Sequence, residues 1–190
     1  MREKYTYIGV TSTVKIEENK IVSFDKNNNT VYSFRVGKDG FLGAHYQEGE
    51  MSDEEGYARA EQNLELKRPY PFELETGERS RDKTEKVFSD KELMDMAGEA
   101  LEHVGSKYPD FRLDGSFQQS RMDSRQENER GLNYISKDCS TNAGFSFKHK
   151  DIKYISDGVF GIALRNFELG KFYDMADNYL SSYEKKAELP

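Results

Sequence analysis

From Tyr5 to Tyr46 the apolar residues fall at strand spacing: Tyr5 and Tyr7, Val14 and Ile16, Ile21 to Phe24, and Val31 to Val36. Three breaks interrupt them, Glu18-Asn19, Asn27-Asn28-Asn29 and Gly37-Lys38-Asp39-Gly40, and each is good turn chemistry. In the last run Tyr32, Phe34 and Val36 alternate with Val31, Ser33 and Arg35, giving one apolar and one mixed face. That is the pattern of a half-buried antiparallel sheet, and it predicts four strands.

Ser52-Asp53-Glu54-Glu55 reads as a capping box, predicting a helix from there to about Leu66. Residues 67–88 hold two prolines, a glycine and dense charge without either period, and predict a long mobile loop. A second box, Ser89-Asp90-Lys91-Glu92, precedes Leu93, Met96, Ala97, Ala100, Leu101 and Val104 at i, i+3, i+4, i+7 spacing. This predicts an amphipathic helix ended by Gly105 and Pro109.

The stretch Phe117–His149 reads as a meander: a long polar strand, a turn at Asn128-Glu129-Arg130-Gly131, and two strand-like segments behind it. Gly131 can take the positive φ of a tight reversal, and Asn128 can hydrogen-bond the backbone two residues on. Behind the turn Leu132, Tyr134 and Ser136 share one face, and further on Ala143, Phe145 and Phe147 alternate with Gly144, Ser146 and Lys148. One more strand is predicted over Ile155–Arg165. A final helix then carries the stripe Phe172, Met175, Ala176, Tyr179, Leu180 and Tyr183, with Lys185 and Lys186 near its negative end. Sheet blocks contiguous in sequence predict an α+β fold: a largely antiparallel sheet built from two meanders, with about three helices, in one domain over residues 1–190.

Composition supports a packed domain. Apolar residues make up 35% and charged residues 33%, but 12 Tyr and 12 Phe supply large buried areas in a chain without Trp. The net charge of −7 repels a phosphate backbone, so nucleic acid is not an expected partner. No run approaches the ~20 apolar residues of a membrane span, and the start MREKYTYIGV lacks the apolar core of a signal peptide. With a single cysteine, Cys139, these features predict a cytoplasmic chain without a disulfide or a membrane role.

Chemistry-bearing motifs are sparse. His45, His103 and His149 stand apart, and none belongs to a metal-ligand spacing. Glu99 and His103 lie four apart on the predicted helix and read as a surface carboxylate–imidazole pair rather than as metal ligands. No metal site is predicted. Cys139 has no activating neighbour beyond Lys137 and reads as unreactive. Charges alternate in sign over Arg121–Arg130. Two readings stand: a solvated face with cross-strand ion pairs, or a polar groove that grips a peptide through Arg121, Arg125, Glu127 and Arg130.

Three segments carry a family resemblance. Ile21-Val-Ser-Phe-Asp-Lys-Asn, the run Val31-Tyr-Ser-Phe-Arg-Val-Gly-Lys-Asp-Gly-Phe-Leu-Gly-Ala, and the turn Asn128-Glu-Arg-Gly-Leu-Asn-Tyr leading to Gly144-Phe-Ser-Phe resemble the N-terminal domain of the TldD/PmbA family. Proteins of this family are also called modulators of DNA gyrase. The resemblance implies a non-catalytic part of a cytoplasmic metallopeptidase, or of its inactive partner subunit, which acts on unfolded peptides inside a dimeric cavity. It also implies a C-terminal catalytic-type domain carrying zinc on an H-E-x-x-x-H helix, and a second such subunit in a homo- or heterodimer. Nothing in the present sequence matches that helix, so the resemblance places no catalytic residue and no cofactor in this chain. Two departures stand out: the family has a helix ahead of the first strand, and this chain ends where its larger catalytic half would begin. The alternative is a stand-alone α+β interaction or scaffold domain; an enzyme in its own right through Glu99, His103 or Cys139 is the third reading.

Overall fold

The computed structural model describes residues 1–71, 73–150 and 156–187, with side chains through Glu184. Its elements are β1 (Arg2–Glu17), β2 (Lys20–Lys38), β3 (Phe41–Glu48), α1 (Asp53–Gln62), β4 (Arg68–Pro69), β5 (Glu78–Lys83), α2 (Asp90–Lys107), β6 (Phe111–Asn128), β7 (Asn133–His149), β8 (Gly158–Leu164) and α3 (Leu169–Ala187). The sheet runs β4-β3-β2-β1-β6-β7-β5, with β8 also paired to β7. It is mostly antiparallel, and the fold is α+β as its sequence pattern predicts. β5 is an exception, lying parallel to β7 with Glu78 opposite Asn133 and Lys83 opposite Asp138.

The turns explain the hairpins. Glu18 and Asn19 (φ 47° and 60°) join β1 to β2, and Asp39 and Gly40 (φ 53° and 79°) join β2 to β3. Two consecutive positive φ values are the signature of the two-residue turn whose twist matches paired strands. The predicted break at Asn27-Asn28-Asn29 is absent, because β2 continues through it. Pairing along a sheet satisfies the backbone there and overrides a local turn preference. The first block therefore holds three long strands rather than four. β7 likewise replaces the two segments expected behind the Asn128–Gly131 turn. Of the predicted strand over Ile155–Arg165, residue 155 lies outside the described residues and the rest contains β8.

The stretch predicted as a loop, 67–88, contains β4 and β5. Neither has an apolar period to read: both residues of β4 are exposed, and so are all but one of the six in β5. Backbone pairing, to β3 for β4 and to β7 for β5, makes them strands.

The chain divides into two compact units. The first comprises Met1–Val10, Asn27–Lys83 and Arg121–Asp138; the second comprises Thr11–Lys26, Thr84–Ser120 and the described residues from Cys139 onward. The core of the first unit is small: Phe34, Val36 and Ala60, ringed by Tyr32, Met51, Tyr57 and Leu64. Ser52 accepts a hydrogen bond from the Glu55 backbone N–H (3.3 Å) and so starts α1 as predicted. The reciprocal half of the expected box is missing, since the Glu55 carboxylate pairs with Arg59 instead. Two glycines let α1 close on the sheet. A Cβ on Gly43 of β3 would lie 2.0 Å from the Ala60 carbonyl oxygen, and one on Gly56 would lie 2.3 Å from the Phe34 ring.

The second unit carries the larger core. Ser89 and Glu92 form a complete capping box, and Leu93, Ala97, Ala100 and Val104 of α2 are buried. They pack with Phe172, Ala176 and Leu180 of α3 and with a sheet layer that includes Phe111, Phe117, Phe145, Phe147 and Phe160. The helix passes through Gly105 and ends at Lys107. The buried Gln119 side chain donates to the Phe88 carbonyl and accepts from the Phe88 N–H, both at 2.7 Å. One amide side chain thus acts as a strand partner for the segment leading into α2.

Candidate functional site

Polar side chains gather around open space in the first unit. The groove holds about 550 Å³. Its walls come from four stretches of chain: Arg2 at the start of β1, Asp53 and Tyr57 on the first turns of α1, Glu78 of β5, and Arg125 to Asn133 at the β6–β7 turn. The turn is built as the sequence indicates. Asn128 Oδ1 accepts from the N–H groups of Arg130 (2.9 Å) and Leu132 (3.1 Å), and Gly131 takes φ 85°. Asn128 Nδ2 also donates to the Glu75 carbonyl at 2.9 Å, tying the turn to the segment before β5.

Within the groove Arg125 Nε donates to Asn133 Oδ1 (3.0 Å), and its guanidinium pairs with Glu127 (3.1 Å). The Arg2 guanidinium lies over the Tyr57 ring, 5.1 Å from its centre. Burial first, and then the charges of Asp53, Glu127 and Glu129, push the Tyr57 pKa up, so its hydroxyl stays protonated and can both donate and accept. Asp53 pairs with Lys4 (2.6 Å), Glu127 with Arg125 and Glu129 with the N-terminal ammonium (3.2 Å), so most carboxylates around the groove are matched by cations. A second cavity of about 340 Å³, lined by Glu78, Arg79, Ser80, Asn133 and Ile135, shares Glu78 and Asn133 with the groove. The two form one continuous path from the α1 N-terminus to the β5–β7 pair. Such a path offers hydrogen bonds to an extended polar chain. Among the described residues no group of three or more His, Cys, Asp or Glu is placed to hold a metal ion.

Of the four residues singled out in the sequence, the structure brings Arg125 and Glu127 together in the groove. Their ion pair lies within β6, two residues apart on one face, and not across strands as expected. Arg121 and Arg130 are exposed and stand outside the lining; the backbone N–H of Arg130 donates to Asn128. Arg2, Asp53, Tyr57, Glu78 and Glu129 went unread because no local motif joins segments that meet only through the sheet.

The second unit contains the other polar centre. His103 does not form the expected pair with Glu99; its Nε2 lies 3.0 Å from Asp177 Oδ1 on α3, and its ring stacks on Tyr173 at 4.1 Å. Lys107 donates to Asp177 Oδ2 at 2.6 Å. Partial burial opposes the charge on Asp177, but hydrogen bonds from Lys107 and His103 outweigh it and hold the carboxyl below its ordinary range. A carboxylate with a depressed folded pKa stabilises above the unfolded pKa, and this contribution is lost as pH falls through the folded value. Asp177→Asn is therefore expected to cost about 1–3 kcal/mol at neutral pH, the scale of a hydrogen bond to a charged group. Denaturation of both proteins across pH checks this: the gap should narrow below about pH 4, and a gap independent of pH contradicts it. Cys139 is buried, with its sulfur 3.7 Å from Gln119 Oε1.

No family model and no curated protein matches this sequence. Solved structures do. TldE from Thermococcus kodakarensis superimposes with a TM-score of 0.73 at 14% identity, covering 95% of this chain and 44% of that one. A protein from Thermotoga maritima named as a modulator of DNA gyrase gives 0.72 at 17% identity, covering 93% and 43%. Another so named, from Bacteroides thetaiotaomicron, gives 0.57 at 10% identity, covering 85% and 39%. The chain thus spans less than half the length of each of these structures.

Proposed function

From the TldD/PmbA-like fold of this chain we infer that it serves as the non-catalytic N-terminal domain of a TldD/PmbA-like peptidase, where it helps to enclose a cavity and handles unfolded peptide. The observation that supports the reading is the polar path of the first unit, lined by hydrogen-bonding side chains of α1, β5 and the β6–β7 turn. In this reading the hydrolytic zinc belongs to a C-terminal half, the dimer partner is a second TldD/PmbA-like subunit, and the protein works in the cytoplasm. This chain's part is to hold the substrate backbone extended. Peptide binding to a sheet-lined groove draws affinity from backbone hydrogen bonds and selectivity from side-chain positions.

The placement of the arginines supplies the test. Anisotropy of a fluorescein-labelled unfolded peptide rich in Lys, Leu and Ser measures binding to the whole chain. Arg125→Ala should weaken binding about tenfold, the equivalent of one charge-assisted hydrogen bond, while Arg121→Ala should leave it unchanged. Both should hardly shift the melting transition, because an exposed ion pair contributes only ~0–1 kcal/mol. Unchanged affinity in folded Arg125→Ala protein, or equal losses in the two variants, contradicts the assignment of peptide binding to this groove.

A further inference from the structure

We propose that β8 is an interaction edge, and that the partner it fits is the β8 of a second copy of this chain, added antiparallel so that one sheet continues into the other. This contact does not depend on peptide binding, and its test reads assembly instead.

Among the described residues three strands, β4, β5 and β8, have a strand neighbour on one side only. Two of them are guarded in ways that stop a sheet from growing. β4 is two exposed residues, Arg68 and Pro69, and in β5 every residue but Ser80 is charged. β8 is different. Gly158–Leu164, of sequence GVFGIAL, has no charge, no proline and no polar side chain, and it pairs without a bulge to Thr141–Phe147 of β7. In a strand paired on one side, every second residue turns its N–H and C=O groups away from that neighbour. No backbone bond to residues 158–164 other than those from β7 occurs among the described residues. A row of outward donors and acceptors is matched by an extended strand.

The residues of β8 favour a second copy of itself as that strand. A two-fold axis at Gly161, the middle of the strand, pairs its whole length: Val159 with the partner's Ala163, Phe160 with the partner's Ile162, and Gly158 with the partner's Leu164. Val159, Gly161 and Ala163 are exposed on one face, while Phe160 is buried and Ile162 and Leu164 are half-buried on the other. In this register each face continues the same face of the other copy. Val159 is 71% exposed and gains an apolar cross-strand neighbour. One residue beyond each end, Asp157 falls opposite the partner's Arg165, so the register sets no like charges against each other. The arrangement uses the same edge of both copies and therefore closes at a dimer.

Sedimentation velocity of the whole chain from about 1 μM to about 1 mM tests the contact. A monomer–dimer equilibrium is expected within that range. Val159→Lys with Ala163→Lys sets like charges opposite each other at two places and should weaken the dimer at least about tenfold. Val159→Glu with Ala163→Lys sets opposite charges at the same two places and should retain it. Both positions are exposed, so both variants should keep the wild-type circular dichroism. A chain that stays monomeric throughout overturns the proposal. So does a dimer of undiminished strength in the first variant, or its loss in the folded second variant. Should either charged variant fail to fold, two single variants, Val159→Cys and Ala163→Cys, give the reading instead: oxidation should cross-link their mixture and neither one alone. Cross-linking of one variant by itself, or none in the mixture, overturns the register.

Discussion

Phe145→Ala is expected to lower the stability of the protein by about 3–5 kcal/mol, the range for deleting a buried aromatic ring. Phe145 is 3% exposed and stands at the centre of the second unit's aromatic layer. Its ring centroid lies 5.6 Å from Phe117, 5.6 Å from Phe172 and 5.9 Å from Phe160, so it joins β6, β7, β8 and α3. Removing it opens a void walled by three rings, each held by its own neighbours and unable to collapse fully. Chemical denaturation read by tyrosine fluorescence and by circular dichroism gives the value. A loss below about 1 kcal/mol would mean that this layer is not the packed centre described.

Gly43→Ala is expected to cost about 3 kcal/mol, near the top of the range for forcing extra volume into a packed site. The new methyl would lie 2.0 Å from the Ala60 carbonyl oxygen and 2.9 Å from the Leu64 backbone N, and backbone cannot swing aside as a side chain can. Either α1 lifts from β3 or the strand bends, and both loosen the small core around Phe34. Amide exchange should accelerate in α1 and β3. Gly105→Ala supplies the opposite sign: that glycine lies within α2 with nothing within 4 Å of its would-be Cβ, so alanine should stabilise by roughly 0.5–1 kcal/mol through chain entropy. If both changes had the same sign, the close approach at Gly43 would not be the cause.

The sequence reveals some elements and conceals others for physical reasons. α2 and α3 were legible because their buried residues recur at helical spacing, and Ser89 marks the start of α2 with a box that does form. The Asn128–Gly131 turn was legible because its side-chain and glycine requirements are local. β5 was invisible because its order comes from pairing with β7, some fifty residues away in sequence, and its own side chains all but ignore the core. The three asparagines at 27–29 misled for the converse reason, a strong local turn signal inside a strand of 19 residues. The groove was half legible. Arg125 and Glu127 share a strand face that alternation exposes, whereas Tyr57, Arg2 and Glu78 reach the same space only through the tertiary fold.

The central proposal is that the polar path of the first unit, from α1 to the β5–β7 edge, receives extended peptide. The most direct measurement is a nuclear magnetic resonance titration of the isotope-labelled chain with the Lys-, Leu- and Ser-rich peptide. The account predicts shifts concentrated at Arg2, Tyr57, Arg125 to Asn133 and Ile135, with α2 and α3 undisturbed. Shifts confined to the second unit, or none at saturating peptide, would contradict it.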